Sequence, residues 1–210
     1  MPASIEDMVL KGYGRALTVG AFSTPVLPQG ATAVIDLDRP QFAIAVPANY
    51  AIRLTRVEVV VQGGISTADS DETELLMAVD SLGQWTGDGT FVSEIPSNMR
   101  TDLDKGSACR CGSDFSADMT TTPGNGVAAA DPVLDMELLR VVETADSQTA
   151  AGAIYRNIKG VYEPKYPPYI VGPATVLGYW GGTIANVGGF ADVQWVEAPA
   201  ALILPAVAGL

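Results

Sequence analysis

Short β-type runs cut apart by glycine, proline, asparagine and aspartate dominate this chain of 210 residues, and they leave few architectures open. Arg15–Phe22, Ala31–Leu37, Gln41–Val46, Ile52–Gln62, Thr73–Asp80, Leu134–Glu143, Ala174–Gly181 and Phe190–Glu197 read as strands. The 22 glycines and 14 prolines gather at strand ends and in extended segments, not in one flexible linker. Arg53, Arg56, Glu58 and Gln62 interrupt a β-branched run often enough to predict one wet face. Thr73–Asp80 also holds residues that favour helices, but its short length and flanking turn signals favour a strand. Ala153–Tyr162 reads as a strand or as one helical stretch. With no segment that demands a helix, the expectation is an all-β fold.

Two further features sharpen that fold. The stretch Tyr162–Pro173 holds four prolines and must run extended, outside any central strand. Residues 81–107 and 112–132 read as long loops, which argue against a simple meander. Strands crossing between two sheets through long connections fit better. The expected fold is therefore a two-sheet β-sandwich, a single jelly roll with extended terminal arms. Residues 1–40 would form an N-terminal arm and the first strands, residues 41–197 the sandwich, and residues 198–210 an apolar C-terminal arm. No repeat of 20–50 residues is present, so a solenoid or propeller is not expected.

Composition narrows the chemistry. There is no histidine, which removes Ser-His-Asp and Cys-His catalysis, the imidazole general base and histidine-ligated zinc. Twelve basic residues against 24 acidic ones give a formal net charge of -12, a poor match to an anionic nucleic-acid backbone. The N-terminal Met1–Asp7 has neither the basic nor the apolar region of a signal peptide, and no apolar run is long enough to span a bilayer. The expectation is a chain made in a reducing cytosol, without direct contact to membrane or nucleic acid. Cys109 and Cys111 are too closely spaced to form a disulfide framework and read as free thiols in a strand or loop. A bridge or site shared between subunits is the alternative.

Candidate sites are few. Asp69, Asp71 and Glu72 form the best cluster for a hard cation such as calcium, although the EF-hand spacing of glycine and glutamate is missing. A solvated loop explains the same residues, and no cofactor is required. Glu94, Asp102, Asp104, Asp114 and Asp118 could supply ligands or a carboxylate pair, yet nothing in their spacing selects a pair. Gly178-Tyr-Trp-Gly-Gly182 does not fit a phosphate-binding pattern. The aromatic residues from Tyr155 to Trp195 could stack on a sugar, or fill a core and an interface. The apolar C-terminus, with Ala201, Leu202, Ile203, Leu204, Val207 and Leu210, would be a liability on an isolated molecule. Its prolines disfavour a central strand, so the expectation is an arm that docks on another subunit.

The order of several segments resembles structural proteins of tailed bacteriophages. These segments are Val26–Gly30, Ile35–Pro40, Val46–Leu54, Trp85–Thr90, Asn98–Asp102, Tyr162–Ala174 and Tyr179–Gly182. The likeness spans most of residues 20–197 and carries no catalytic motif. It implies a jelly-roll virion component, capsid-associated as a decoration or minor capsid protein. Its partners would be copies of itself, a trimer being the expected form, and other capsid proteins. A second reading is a host-receptor or glycan-binding β-sandwich module of a virion, using Trp85, Trp180 or loop carboxylates. A hydrolase built on a carboxylate pair ranks last.

Overall fold

The computed structural model describes residues 4–28, 35–62, 71–82, 85, 90–103, 105–116, 118–119, 134–145, 157–182 and 188–204. The elements are α1 (Ile5–Leu10), β1 (Gly14–Val19), β2 (Phe42–Val46), β3 (Tyr50–Gln62), β4 (Asp71–Asp80), β5 (Val92–Glu94), β6 (Ser97–Asn98), β7 (Arg110–Ser113), β8 (Met136–Ala145), β9 (Asn157–Tyr162), β10 (Ile170–Val171), β11 (Ala174–Gly182), β12 (Gly188–Pro199) and α2 (Ala200–Ile203). The chain forms the expected all-β, two-sheet sandwich. One sheet runs β10-β3-β12-β1-β6, with β9 also on the outer edge of β3. The other runs β5-β7-β2-β11-β4-β8, and every pairing is antiparallel.

Four of these pairings are nested. β1 pairs with β12, β2 with β11, β3 with β9 and β4 with β8, so early strands meet late ones in reverse order. Successive pairs alternate between the two sheets. The pairings β12–β3 and β11–β4 then join them side by side. The topology is that of one long hairpin wrapped around a core.

The strand alternation explains that core. Ile52, Leu54, Val57, Val59 and Val61 of β3 turn inward against Trp180, Trp195, Ile44, Leu75 and Met77. Arg53, Arg56, Glu58 and Gln62 are only half-buried, on the wet face expected of them. That face carries ion pairs of Glu58 with Arg56 and with Lys159, and a Thr18–Asp192 hydrogen bond of 2.7 Å. The β2–β11 sheet differs, because its outer face is apolar too. Ala43, Leu76, Ala78, Leu177 and Tyr179 lie under Trp85, Phe115 and Met119, with Ile35, Leu37 and Phe91 at the margin. All nine residues of β11 are consequently buried.

Several local expectations change. Residues 35–37 are not strand, and residues 31–34 lie outside the described residues. Asp36 Oδ1 accepts the Asp38 N–H at 3.1 Å, and the Arg39 N–H donates to the Asp36 carbonyl, so a turn outcompetes the ladder. Ile35 and Leu37 still point inward, onto the outer apolar layer. The loop expected over 81–107 contains the short edge strands β5 and β6, and β7 extends to Ser113. Residues 157–162 of the ambiguous Ala153–Tyr162 stretch are strand. The helix α1 comes from end signals rather than periodicity: Ser4 Oγ accepts the Asp7 N–H at 3.0 Å, and Glu6 and Asp7 occupy the first turn. Its Met8 closes a small cluster with Ala51, Val196 and Ala198.

Gly178 shows how tight the packing is. It faces Phe42 across the β2–β11 pair, and a Cβ there would overlap the Phe42 ring, which is itself fully buried. Gly178→Ala should therefore destabilise the fold by about 1–3 kcal/mol through overpacking. The midpoint of urea unfolding should fall accordingly, and an unchanged midpoint would contradict this packing.

Candidate functional site

The strongest concentration of buried polar groups lies at one end of the sandwich. Arg15 of β1 stands opposite Trp195 of β12, and Glu197 follows two residues later on the same face. Arg15 and Glu197 are each only 2% exposed. Arg15 Nε is 3.1 Å from Glu197 Oε1, an ion pair that does not meet hydrogen-bond geometry. The guanidinium donates instead through Nη1 to the carbonyls of Gly12 and Gly14, and through Nη2 to that of Gly106, each at 2.9 Å. The carboxylate accepts the Ala108 N–H at 2.9 Å, the Ser107 hydroxyl at 2.7 Å and the Trp195 indole N–H at 3.1 Å. The segment around 106–108 is thereby tied onto β1 and β12.

Cys109 and Cys111 complete this region, both buried and both free. Burial pushes both thiol pKa values up, and the negative charge of Glu197 adds to the shift in each. A thiol held in its neutral form is a poor nucleophile and a poor metal ligand. The carboxylate oxygens accept three donors from the fold itself, so the arrangement ties these segments together.

Beside it, a cavity of about 230 Å3 opens between Val46, Pro47, Trp85, Arg110 and Pro173. Arg110 lies 5.4 Å from the Phe91 ring centre, and Phe91 belongs to a cluster with Trp85 and Phe115.

The residues singled out in the sequence are dispersed. Asp71 and Glu72 open β4, opposite Ala145 and Thr144, while Asp69 lies outside the described residues. Among the described residues no group of three histidine, cysteine or acidic side chains is placed to hold a metal ion. Glu94 accepts the Ser113 hydroxyl, Asp102 pairs with Arg100, and Asp118 pairs with Arg39 at 2.7 Å. Asp114 occupies a positive φ of 50° beyond β7, and Asp104 lies outside the described residues. Trp180 is 0% exposed and donates its indole N–H to the Val26 carbonyl, and Trp85, 4% exposed, packs with Phe91 and Phe115 while also lining the cavity beside Val46 and Arg110. Ala201 and Leu202 of α2 are exposed, Ile203 closes the helix, and Leu204 is half-buried. Val207 and Leu210 lie outside the described residues.

Sequence reasoning missed Arg15 and Glu197. A signal was present for Glu197, because it falls two residues after Trp195, on the apolar side of an alternating strand. Compared with known proteins, no family model, no curated protein and no solved structure matches the chain.

Two outcomes follow from this geometry. Glu197→Leu alone leaves a buried guanidinium without its counter-charge and should cost about 3–5 kcal/mol, and adding Arg15→Met should recover none of that loss, because the double change also strips the Gly12, Gly14 and Gly106 carbonyls of their donor. Denaturant titrations of the single and double variants measure the difference. The raised thiol pKa values mean that Cys109 and Cys111 add stability below the unfolded thiol value and lose it as pH rises above about 9. A Cys109→Ala/Cys111→Ala variant should therefore show a shallower fall of Tm at alkaline pH, and the native thiols should resist alkylation until the chain unfolds.

Proposed function

We propose that the chain is a structural protein of a bacteriophage virion, a capsid-associated jelly roll acting as a decoration or minor capsid protein and engaged in subunit contacts. The nested strand pairing carries this reading. A hairpin of eight strands, β1-β12, β2-β11, β3-β9 and β4-β8, folded into two facing sheets is the pattern of the jelly roll, an architecture used by viral capsid domains. β5, β6, β7 and β10 are then additions at its edges. Fold alone does not assign a role. The segment-by-segment likeness to tailed-phage structural proteins points the same way, and so does the use of the buried Arg15–Glu197 centre to tie loops down.

The charge suggests where the chain sits. A formal net charge of -12 favours an outer face turned to solvent over a lining for packaged DNA. Leu202, exposed at 54%, and Ala201 leave the sandwich at its α2 end, where an apolar arm would reach a neighbour. The partners are copies of itself and other capsid proteins.

Mass spectrometry and cryo-electron microscopy of particles purified from the source culture test this role. The chain should be a stoichiometric component with density outside the main shell. Its absence from purified particles, or density between shell and genome, would overturn the proposal. Deleting residues 201–210 should weaken assembly in light scattering, and a truncated chain that assembles like the intact one would remove the arm from the account.

A further inference from the structure

The edge of the β2–β11 sheet formed by β8 stands apart from the other sheet edges. β5, β6 and β10 are two or three residues long and β9 is six, whereas β8 runs for ten. Among the described residues β8 pairs with β4 on one side and with no strand on the other. A long edge strand presents a row of backbone donors and acceptors ready to pair with another chain. Its core-facing residues Met136, Leu138, Leu139 and Val141 are half-buried, while their β4 partners Leu75, Met77 and Val79 are fully buried. β9 of the other sheet lies against this side, its Gly160 beside Leu139 and Val141, so the partly buried core face of β8 is covered across the sandwich while its backbone edge, among the described residues, is not. Val142 on the outer face is 53% exposed.

The register supplies the second observation. Met77 pairs with Leu139 and Ala78 with Glu137, so Leu138 is an extra residue in β8. Leu138 and Leu139 both pack toward the core, and the exposed charges Glu137 and Arg140 flank them on the outer face. A two-fold axis normal to the sheet, passing between Leu138 and Leu139, turns this strand onto an antiparallel copy of itself. Glu137 then meets Arg140 of the second copy, and Arg140 meets Glu137. Leu138 and Leu139 face each other on the core side, and the extra residue occurs symmetrically in both strands. Within one chain Arg140 already pairs with Glu137 at 2.9 Å and with Glu74. Those exposed pairs are weak, so they are readily exchanged across an interface.

We infer that β8 is a self-complementary edge by which two copies of this chain join their sheets, with opposite charges fixing the register. The inference rests on the proposed role only in taking the chain to form subunit contacts. It is tested by sedimentation and light scattering of the full chain over a wide concentration range. The wild type should self-associate reversibly. Glu137→Arg places arginine against arginine twice in the pair, and Arg140→Glu places glutamate against glutamate twice. Each variant should weaken association about tenfold. Both side chains are exposed, so the circular dichroism of each variant should match that of the wild type.

Mixing the two variants provides the decisive readout. One variant is positive at both positions and the other negative at both, so every cross-strand contact in a mixed pair again joins opposite charges. An equimolar mixture should therefore regain wild-type association. A wild type that stays monomeric overturns the inference. So do variants that self-associate like the wild type, or a mixture that gains nothing. A chain that dimerises through β8 yet is missing from particles overturns the virion role alone. A particle component indifferent to these charge changes overturns the edge alone.

Discussion

Keeping the middle of one sheet, around β11, dry on both faces is the constraint on which the rest of this structure depends. β11 lies at the middle of that sheet, with Trp180 toward the other sheet and Tyr179 beneath the outer layer. A strand buried on both sides cannot leave a backbone group unmet, because no water reaches it. The ends of its ladder accordingly recruit side chains. Gln41 Oε1 accepts the Trp180 N–H at 2.6 Å, and the Gln41 N–H donates to the Gly178 carbonyl at 2.9 Å. Tyr179 is admitted to the outer layer because its hydroxyl donates to the Leu37 carbonyl at 2.9 Å. Ile35, Leu37, Trp85, Phe91, Phe115 and Met119 are therefore a cover for the sheet, and the aromatic residues among them belong to a second core.

The Arg15–Glu197 pair follows from the same economy of burial at the end of the sandwich. A pair of buried charges is a weak source of stability, since desolvation offsets most of the attraction. Its effect here is geometric. The guanidinium accounts for carbonyls at Gly12, Gly14 and Gly106, and the carboxylate accounts for donors at Ser107, Ala108 and Trp195. Three chain segments far apart in sequence, 12–15, 106–108 and 195–197, are thus fixed by two side chains. An apolar replacement could fill the volume but could not satisfy those backbone groups.

Most of the strands could be read from the sequence, because alternation with one wet face leaves a period of two. β3 is the clearest case: Arg53, Arg56, Glu58 and Gln62 mark its outer side. β11 was legible only as an apolar run, since a strand buried on both faces has no alternation. The run over residues 35–37 misled, because the side chains of Ile35 and Leu37 alternate as in a strand while Asp36 holds a turn. The buried centre was illegible for a different reason. Arg15 and Glu197 are separated by nearly the whole chain, and only the β1–β12 pairing brings them together. Burial also turned Trp85 and Trp180 from candidate surface platforms into packing residues, a distinction that residue type alone does not carry.

The nested topology has a final consequence for the two sequence ends of the sandwich fold. Because β1 pairs with β12, the segments before the first strand and after the last lie at the same end of the sandwich. Met8 of α1 packs on Ala51, Val196 and Ala198, and the Ala200 N–H donates to the Asn49 carbonyl at 2.7 Å. Both α1 and α2 are therefore anchored where β3 begins and β12 ends. Such pairing of distant strands makes folding depend on long-range contacts, which close late and slowly. α1 and α2 therefore rest on strands that the wrapped hairpin has already joined, and neither provides the pairing that holds the two sheets. Contacts made on them by the proposed virion partners would leave that pairing intact.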